Sequence, residues 1–140
     1  MGVALDTQPH PLDSLRFEIP AIADRLIEVR RRLLAWLAPI GVADAMAADI
    51  VLVVNEACSN SIEHAYRGVD TGLIRVEVAQ EGGYIVAIIS DFGSWQTPPS
   101  EPTTRGRGLA IMRAITDQVE LDTSASGTTV RTSFDVPAAG

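Results

Sequence analysis

The sequence predicts an α+β domain, a two-layer α/β sandwich with a mixed, mainly antiparallel sheet and its helices on one face. Three observations point there. Short stretches alternate apolar and polar residues, as half-buried strands do. Longer stretches repeat apolar residues at spacings of three and four, as helices do. The elements come in the order strand, helix, helix, two strands, loop, helix, two strands, so strands and helices do not alternate as a doubly wound parallel sheet requires.

The elements follow in turn. Leu15 to Ile19 alternates and stops at Pro20, which marks a short strand. Ala21 to Ala38 reads as a helix, with Leu26, Val29, Leu33, Leu34 and Leu37 as its buried stripe, Pro20 at its start and Pro39 at its close. Arg30, Arg31 and Arg32 fall partly on the other face, where they serve solvation or contact with a partner. A second helix runs from Asp44 to Tyr66, with Asp44 as N-cap and Gly68 beyond its end. Ile50, Val54, Ala57 and Cys58 form its core side, and Glu56, Asn60 and His64 a separate polar side. Leu73 to Gln80 and Tyr84 to Ser90 form a hairpin around Gly82-Gly83 that delivers Asp91 at its end. Asp91 to Arg107 holds three prolines and no apolar period, which predicts a long loop of the kind that serves as a lid. Leu109 to Ile115 is a short helix entered from Gly106-Arg107-Gly108, and Gln118 to Asp122 and Thr128 to Val136 are two last strands around Ser126-Gly127.

Composition bounds the function. The 140 residues suit one domain, read as residues 15–137 behind a flexible leader at residues 1–14. A net charge of −7 argues against broad nucleic-acid binding, and 46% hydrophobic with 21% charged residues is ordinary for a globular chain. Cys58 is the single cysteine, so no internal disulfide forms. No segment reaches the roughly 18 apolar residues of a membrane helix, and the N-terminus lacks a signal-peptide pattern, so a cytoplasmic protein is expected.

The chemistry concentrates in four stretches. Glu56 and Asn60 lie four residues apart and share a helix face. Mg2+ prefers oxygen ligands and keeps several waters, so the Asn60 oxygen together with nucleotide phosphates can hold it while Glu56 serves as a base; a solvated polar stripe is the plainer reading. Asp91-Phe92-Gly93 ends a strand, where a carboxylate can accept from the exocyclic amine of adenine while repelling the carbonyl of guanine; a simple turn also uses these residues. Gly106-Arg107-Gly108-Leu109 precedes a helix whose first N–H groups can cradle phosphates, with Arg105 and Arg107 adding charge, or it is a lid hinge. Thr128 opens the last strand, where its hydroxyl can meet the base or Asp91. His64 either caps the helix dipole or reaches the phosphates. A zinc site lacks ligand spacing, and no Gly-x-Ser-x-Gly elbow supports a serine hydrolase.

These motifs, in this order, resemble the Bergerat ATP-binding fold shared by gyrase, a heat-shock chaperone and histidine kinases, and within it the anti-sigma-factor serine kinases of bacterial partner-switching systems. Glu56 to Tyr66 is similar to that family's N box, Asp91-x-Gly93 to its first glycine box and Gly106-Arg107-Gly108-Leu109 to its second, over Phe17 to Val136. Trp95 stands where many relatives carry a further glycine. The resemblance implies that Asn60 holds Mg2+ against the phosphates of ATP, that Asp91 binds the adenine amine, and that Gly93, Gly106 and Gly108 shape the pocket. It implies that Glu56 activates a serine or threonine hydroxyl on an anti-sigma-factor antagonist of STAS type, that a homodimer sequesters a sigma factor, and that Arg30 contacts a partner. The contrasting reading is an ATP-gated binding module without catalysis, which has no need of a base at Glu56.

Overall fold

Alternation along the strands decides which face of the sheet is buried. The computed structural model describes residues 14–65, 72–93, 116, 118–124 and 127–136. Within them the chain forms strand β1 (Ser14–Pro20), helices α1 (Leu26–Leu37) and α2 (Asp44–Asn60), and strands β2 (Leu73–Glu81), β3 (Tyr84–Asp91), β4 (Gln118–Ser124) and β5 (Gly127–Asp135). The strands lie in the order β1-β2-β3-β5-β4, and every pairing among them is antiparallel, so the parallel component of a mixed sheet is not found among the described residues. The β2–β3 hairpin closes on Gly82-Gly83, and the left-handed φ of +60° at Gly82 suits a residue without Cβ.

One face of this sheet carries Phe17, Ile19, Ile74, Val76, Val78, Ile85, Ala87, Ile89, Val130 and Phe134, all buried. Against it pack Val29, Leu33, Trp36 and Leu37 of α1 with Ile50, Val53, Val54, Ala57 and Cys58 of α2. Each fully buried side chain of this size contributes about 1.5–3 kcal/mol of transfer free energy, so this single interface holds both layers together. The opposite face is charged and cross-paired: Arg75 meets Glu18 at 3.0 Å and Arg16 meets Glu77 at 3.7 Å.

Several element ends differ from the sequence reading. Pro20 finishes β1 instead of opening the helix, because the Ala21 N–H donates to the Gly72 carbonyl (2.9 Å) and extends the ladder by one residue. A 3-10 turn over Ala23–Arg25 then leads into α1, whose first residue is Leu26 and not Ala21. Leu34 of the expected stripe is 38% exposed and Leu26 only half-buried; Trp36 takes the inward place, since the sheet below α1 favours a stripe through Val29, Leu33, Trp36 and Leu37. Pro39 lies in the 3-10 turn Ala38–Ile40 that closes α1, and Gly41 follows with a φ of +83°. Asp44 is not the N-cap: extended Ala43 holds that position without a side-chain bond, and Asp44 sits in the first turn, where its charge favours the helix dipole. The α-helical pattern of α2 ends at Asn60, and Ser61–Ala65 continues as a π-helical turn. Tyr66, Gly68, the loop after Gly93, the short helix Leu109 to Ile115 and residues 1–13 lie outside the described residues. Among the described residues no helix is long and apolar enough to cross a membrane.

Cys58 lies fully inside this core, and burial pushes its thiol up from 9.0 to about 12. Folding therefore favours the neutral thiol. The sign follows: this stabilising contribution is complete below pH 9, where the unfolded chain also keeps its proton, and is lost as pH rises from 9 towards 12. Urea denaturation across pH 8–11 is expected to show a steeper loss of stability above pH 9 in the native sequence than in Cys58→Ala, by up to about 1.4 kcal/mol per pH unit. Equal slopes would show that Cys58 ionises as freely in the folded state as in the unfolded one.

Candidate functional site

Where α2 ends, β3 ends and β5 begins, the three segments meet at one carboxylate. Asp91 is the last residue of β3, directly opposite Thr128 in β5, and points to the helix side of the sheet with 2% exposure. A carboxylate at that depth needs donors. The structure supplies them from three places: the Ser61 hydroxyl donates to Oδ2 (2.7 Å), and the backbone N–H groups of Thr128 (3.1 Å) and Gly93 (3.3 Å) donate to Oδ1. All three bonds are accepted by the carboxylate oxygens.

Gly127 makes the approach of β5 possible. A Cβ there would stand 2.2 Å from the Asp91 carbonyl oxygen, and its φ of +152° also disfavours a side chain. Thr128, one residue on, is 2% exposed, and its Oγ1 has no hydrogen-bond partner among the described residues. The sequence offered that hydroxyl as a partner for Asp91 or for a base; it is the Thr128 backbone that meets the carboxylate, and the hydroxyl is left over. A buried, unpaired hydroxyl beside an anchored carboxylate is a pair of polar groups of the kind that fixes a flat heterocycle with an exocyclic amine.

Asn60 closes α2 and is 4% exposed, next to Ser61, so the bond from Ser61 to Asp91 brings the Asn60 backbone to the same end of the sheet. Glu56, one helical turn earlier, is half-buried, and among the described residues it forms no hydrogen bond or ion pair. The two therefore share a face, as their spacing predicts. A π-helical turn directly after Asn60 widens the backbone at this point, a feature frequent at functional sites. No group of three or more His, Cys, Asp or Glu side chains that could hold a metal ion is found among the described residues.

The remaining predicted residues divide. Gly93 belongs to the cluster through its N–H. The backbone of His64 lies in the π-helical turn, and its side chain lies outside the described residues, as do Arg105, Gly106, Arg107, Gly108 and Leu109 in full. Arg30 is exposed and away from this cluster, on the wall of a groove of about 570 Å3 between α1 and α2 that Asp44 also lines. Of its neighbours in the run, Arg32 pairs with Glu28 (3.0 Å) and covers the Phe17 ring at 5.0 Å. Sequence reasoning missed Ser61 and the structural demand on Gly127. A hydroxyl directly after the helix-ending Asn60, and a glycine directly before Thr128, were the available signals.

The chain is similar to known proteins in sequence and in fold. Residues 19–134 match the family described as the histidine kinase-like ATPase domain. A serine-protein kinase RsbW from Bacillus pumilus is 26% identical over 145 residues, covering 88% of this chain and 86% of that protein, and an RsbW from Bacillus velezensis is 23% identical with the same coverage. The structure of the RsbU and RsbW domains of Rv1364c from Mycobacterium tuberculosis superposes with a TM-score of 0.74 at 28% identity, over 91% of this chain and 33% of that one. The chain thus spans a third of that larger protein. A blue-light activated histidine kinase domain from Erythrobacter litoralis shares the fold, with a TM-score of 0.55 at 19% identity over 65% of this chain and 45% of that one.

Gly127→Ala is expected to displace the start of β5 and break the Thr128 bond to Asp91, because the blocking atom is backbone and cannot swing aside. Urea unfolding should report a loss of about 1–3 kcal/mol. Unchanged stability would mean that the close approach of β5 to Asp91 is not needed.

Proposed function

This chain belongs to the histidine kinase-like ATPase domain family, and from that premise we propose that it is a serine/threonine protein kinase that uses Mg-ATP to phosphorylate an anti-sigma-factor antagonist of STAS type and, as a homodimer, sequesters a sigma factor in the cytoplasm. The single observation that carries the nucleotide half is the Asp91 carboxylate, held by Ser61, Thr128 and Gly93 beside the unpartnered Thr128 hydroxyl. The likeness to RsbW serine-protein kinases supports the choice of acceptor and partners.

The fit to adenine rests on chemistry. An ionised carboxylate that only accepts suits the exocyclic amine of adenine and opposes the carbonyl that guanine places there, and the Thr128 hydroxyl can serve a ring nitrogen. When bound, ATP supplies the phosphoryl group and Mg2+ offsets the charge that develops on it. Asn60 is assigned the protein oxygen on the metal, Gly106, Gly108 and Leu109 the backbone around the phosphates, and Arg105, Arg107 and His64 the surrounding positive charge. Glu56 orients the acceptor hydroxyl and takes its proton as the oxygen bonds to phosphorus and the bond to the ADP oxygen breaks. Its half-buried place, with no ion-pair partner among the described residues, leaves the carboxylate open to an acceptor hydroxyl. Arg30 is assigned to partner contact.

The test is transfer of label from radiolabelled ATP to candidate antagonists. Glu56→Ala is expected to keep ATP binding and lose about 100-fold or more of the transfer rate, while Asn60→Ala weakens ATP binding chiefly when Mg2+ is present. Undiminished transfer by Glu56→Ala removes that residue from the chemistry. Stable complexes with partners and no transfer by the native protein would identify an ATP-gated binding module instead.

A further inference from the structure

Phe92 stands in the chain between the Asp91 carboxylate and one of the donors that hold it, the Gly93 N–H at 3.3 Å. That bond reaches back across Phe92, so the conformation of this one residue decides whether the N–H meets the carboxylate. The Phe92 ring is exposed and gains little from burial, so a specific contact has to fix it. Arg75 of β2 supplies one: its guanidinium carbon lies over the ring, 5.1 Å from the centroid.

Arg75 is itself held in place. Its Nε donates to Glu18 Oε2 at 3.0 Å, and Nη2 lies 3.0 Å from the same oxygen, so two contacts from β1 set the orientation of the group. A guanidinium can do both at once, because its edge bonds a carboxylate while its face meets a ring. The nearby pair of Arg16 and Glu77 is looser, at 3.7 Å with the Arg16 side chain 63% exposed, against 31% for Arg75. Arg75 lies opposite Ser90 and belongs to the charged face of the sheet, whereas Asp91, opposite Ile74, points to the helix side. From the other flank β5 closes on the same residue: a Cβ at Gly127 would stand 3.1 Å from the Phe92 Cα. Phe92 is thus gripped by its ring from β2 and by its backbone from β5.

We propose that Arg75 is a positioning residue for the nucleotide site, which holds the Asp91-Phe92-Gly93 turn through the Phe92 ring in the conformation that aims the Asp91 carboxylate at the base. This inference rests on the reading of Asp91 as the contact to adenine. Arg75 lies on the face of the sheet away from the Asp91 side chain, so its contact with the site runs through the turn. Loss of the clamp leaves the Asp91 carboxylate in place in the sequence but frees the backbone that directs it, and so weakens the reading of the base before it weakens the fold.

Calorimetric titration of the full chain with Mg-ATP and with Mg-GTP tests this in Arg75→Gln, Phe92→Leu, the double variant and Phe92→Tyr. Each of Arg75→Gln and Phe92→Leu is expected to bind ATP about two- to fivefold more weakly, the scale of one exposed cation–π contact, and to prefer ATP over GTP less strongly than the native chain. The double variant is expected to lose no more than either single variant, since both remove the same contact. Phe92→Tyr keeps the ring and is expected to bind as the native chain does. Because Phe92→Leu changes no charge, its loss separates the clamp from a general attraction of Arg75 for phosphates. Native affinity in either single variant, or a double variant in which the two losses multiply, overturns the positioning role and leaves ATP binding standing. A native chain that binds no ATP overturns the positioning role and the nucleotide reading together. If urea unfolding shows that Arg75→Gln does not fold, Phe92→Leu against Phe92→Tyr still decides, and equal affinity of those two overturns the proposal.

Discussion

The arrangement of this protein turns on satisfying one buried carboxylate. Asp91 lies at the end of β3 with almost no contact with water, and its oxygens are held by donors from the π-helical turn after α2, from the first residues of β5 and from the chain just past β3. A carboxylate left unpaired at that depth would cost more than any single apolar contact in the domain contributes. Three segments far apart in sequence are therefore fixed relative to one another by a polar requirement, over a core that apolar packing alone would leave freer to adjust. The polar cluster also fixes the end of α2, because the same bond from Ser61 that satisfies Asp91 sets the position of the backbone beside Asn60.

The apolar layer beneath makes that cluster possible. Alternation in β2, β3 and β5 keeps Ile74, Ile89 and Val130 against α2 and aligns Asp91 with Thr128 in register. A one-residue slip would send Asp91 to the charged face and leave a hydrophobic residue over the site. The glycine at 127 then lets β5 come close enough for its backbone, and not its side chain, to bind the carboxylate. Beside that carboxylate the Thr128 hydroxyl has no partner among the described residues, and the proposed base site rests on this surplus.

Much of this was legible in the sequence where a local period decides structure. The β2–β3 hairpin was marked by two alternating runs around Gly82-Gly83, and Asp91 was placed at a strand end because the apolar run stops there. The core side of α2 was legible because Ile50, Val54, Ala57 and Cys58 recur at helical spacing. The π-helical turn was not, since a single widened turn leaves the same residues in nearly the same pattern. Leu34 was placed in the stripe and Trp36 left out of it because both lie within its reach, and only the sheet beneath decides which is covered. Ser61 and Gly127 act across long sequence separations, on Asp91, so their places beside Asn60 and Thr128 do not reveal the contacts they make.

The central claim is that the Asp91 carboxylate reads an amine-bearing base. Titration calorimetry of the native chain with Mg-ATP and with Mg-GTP tests it most directly. Saturable binding of one ATP per chain, with GTP at least about 100-fold weaker because its carbonyl meets the carboxylate, is the predicted result. Equal affinity for the two nucleotides, or no heat with either, would contradict the account.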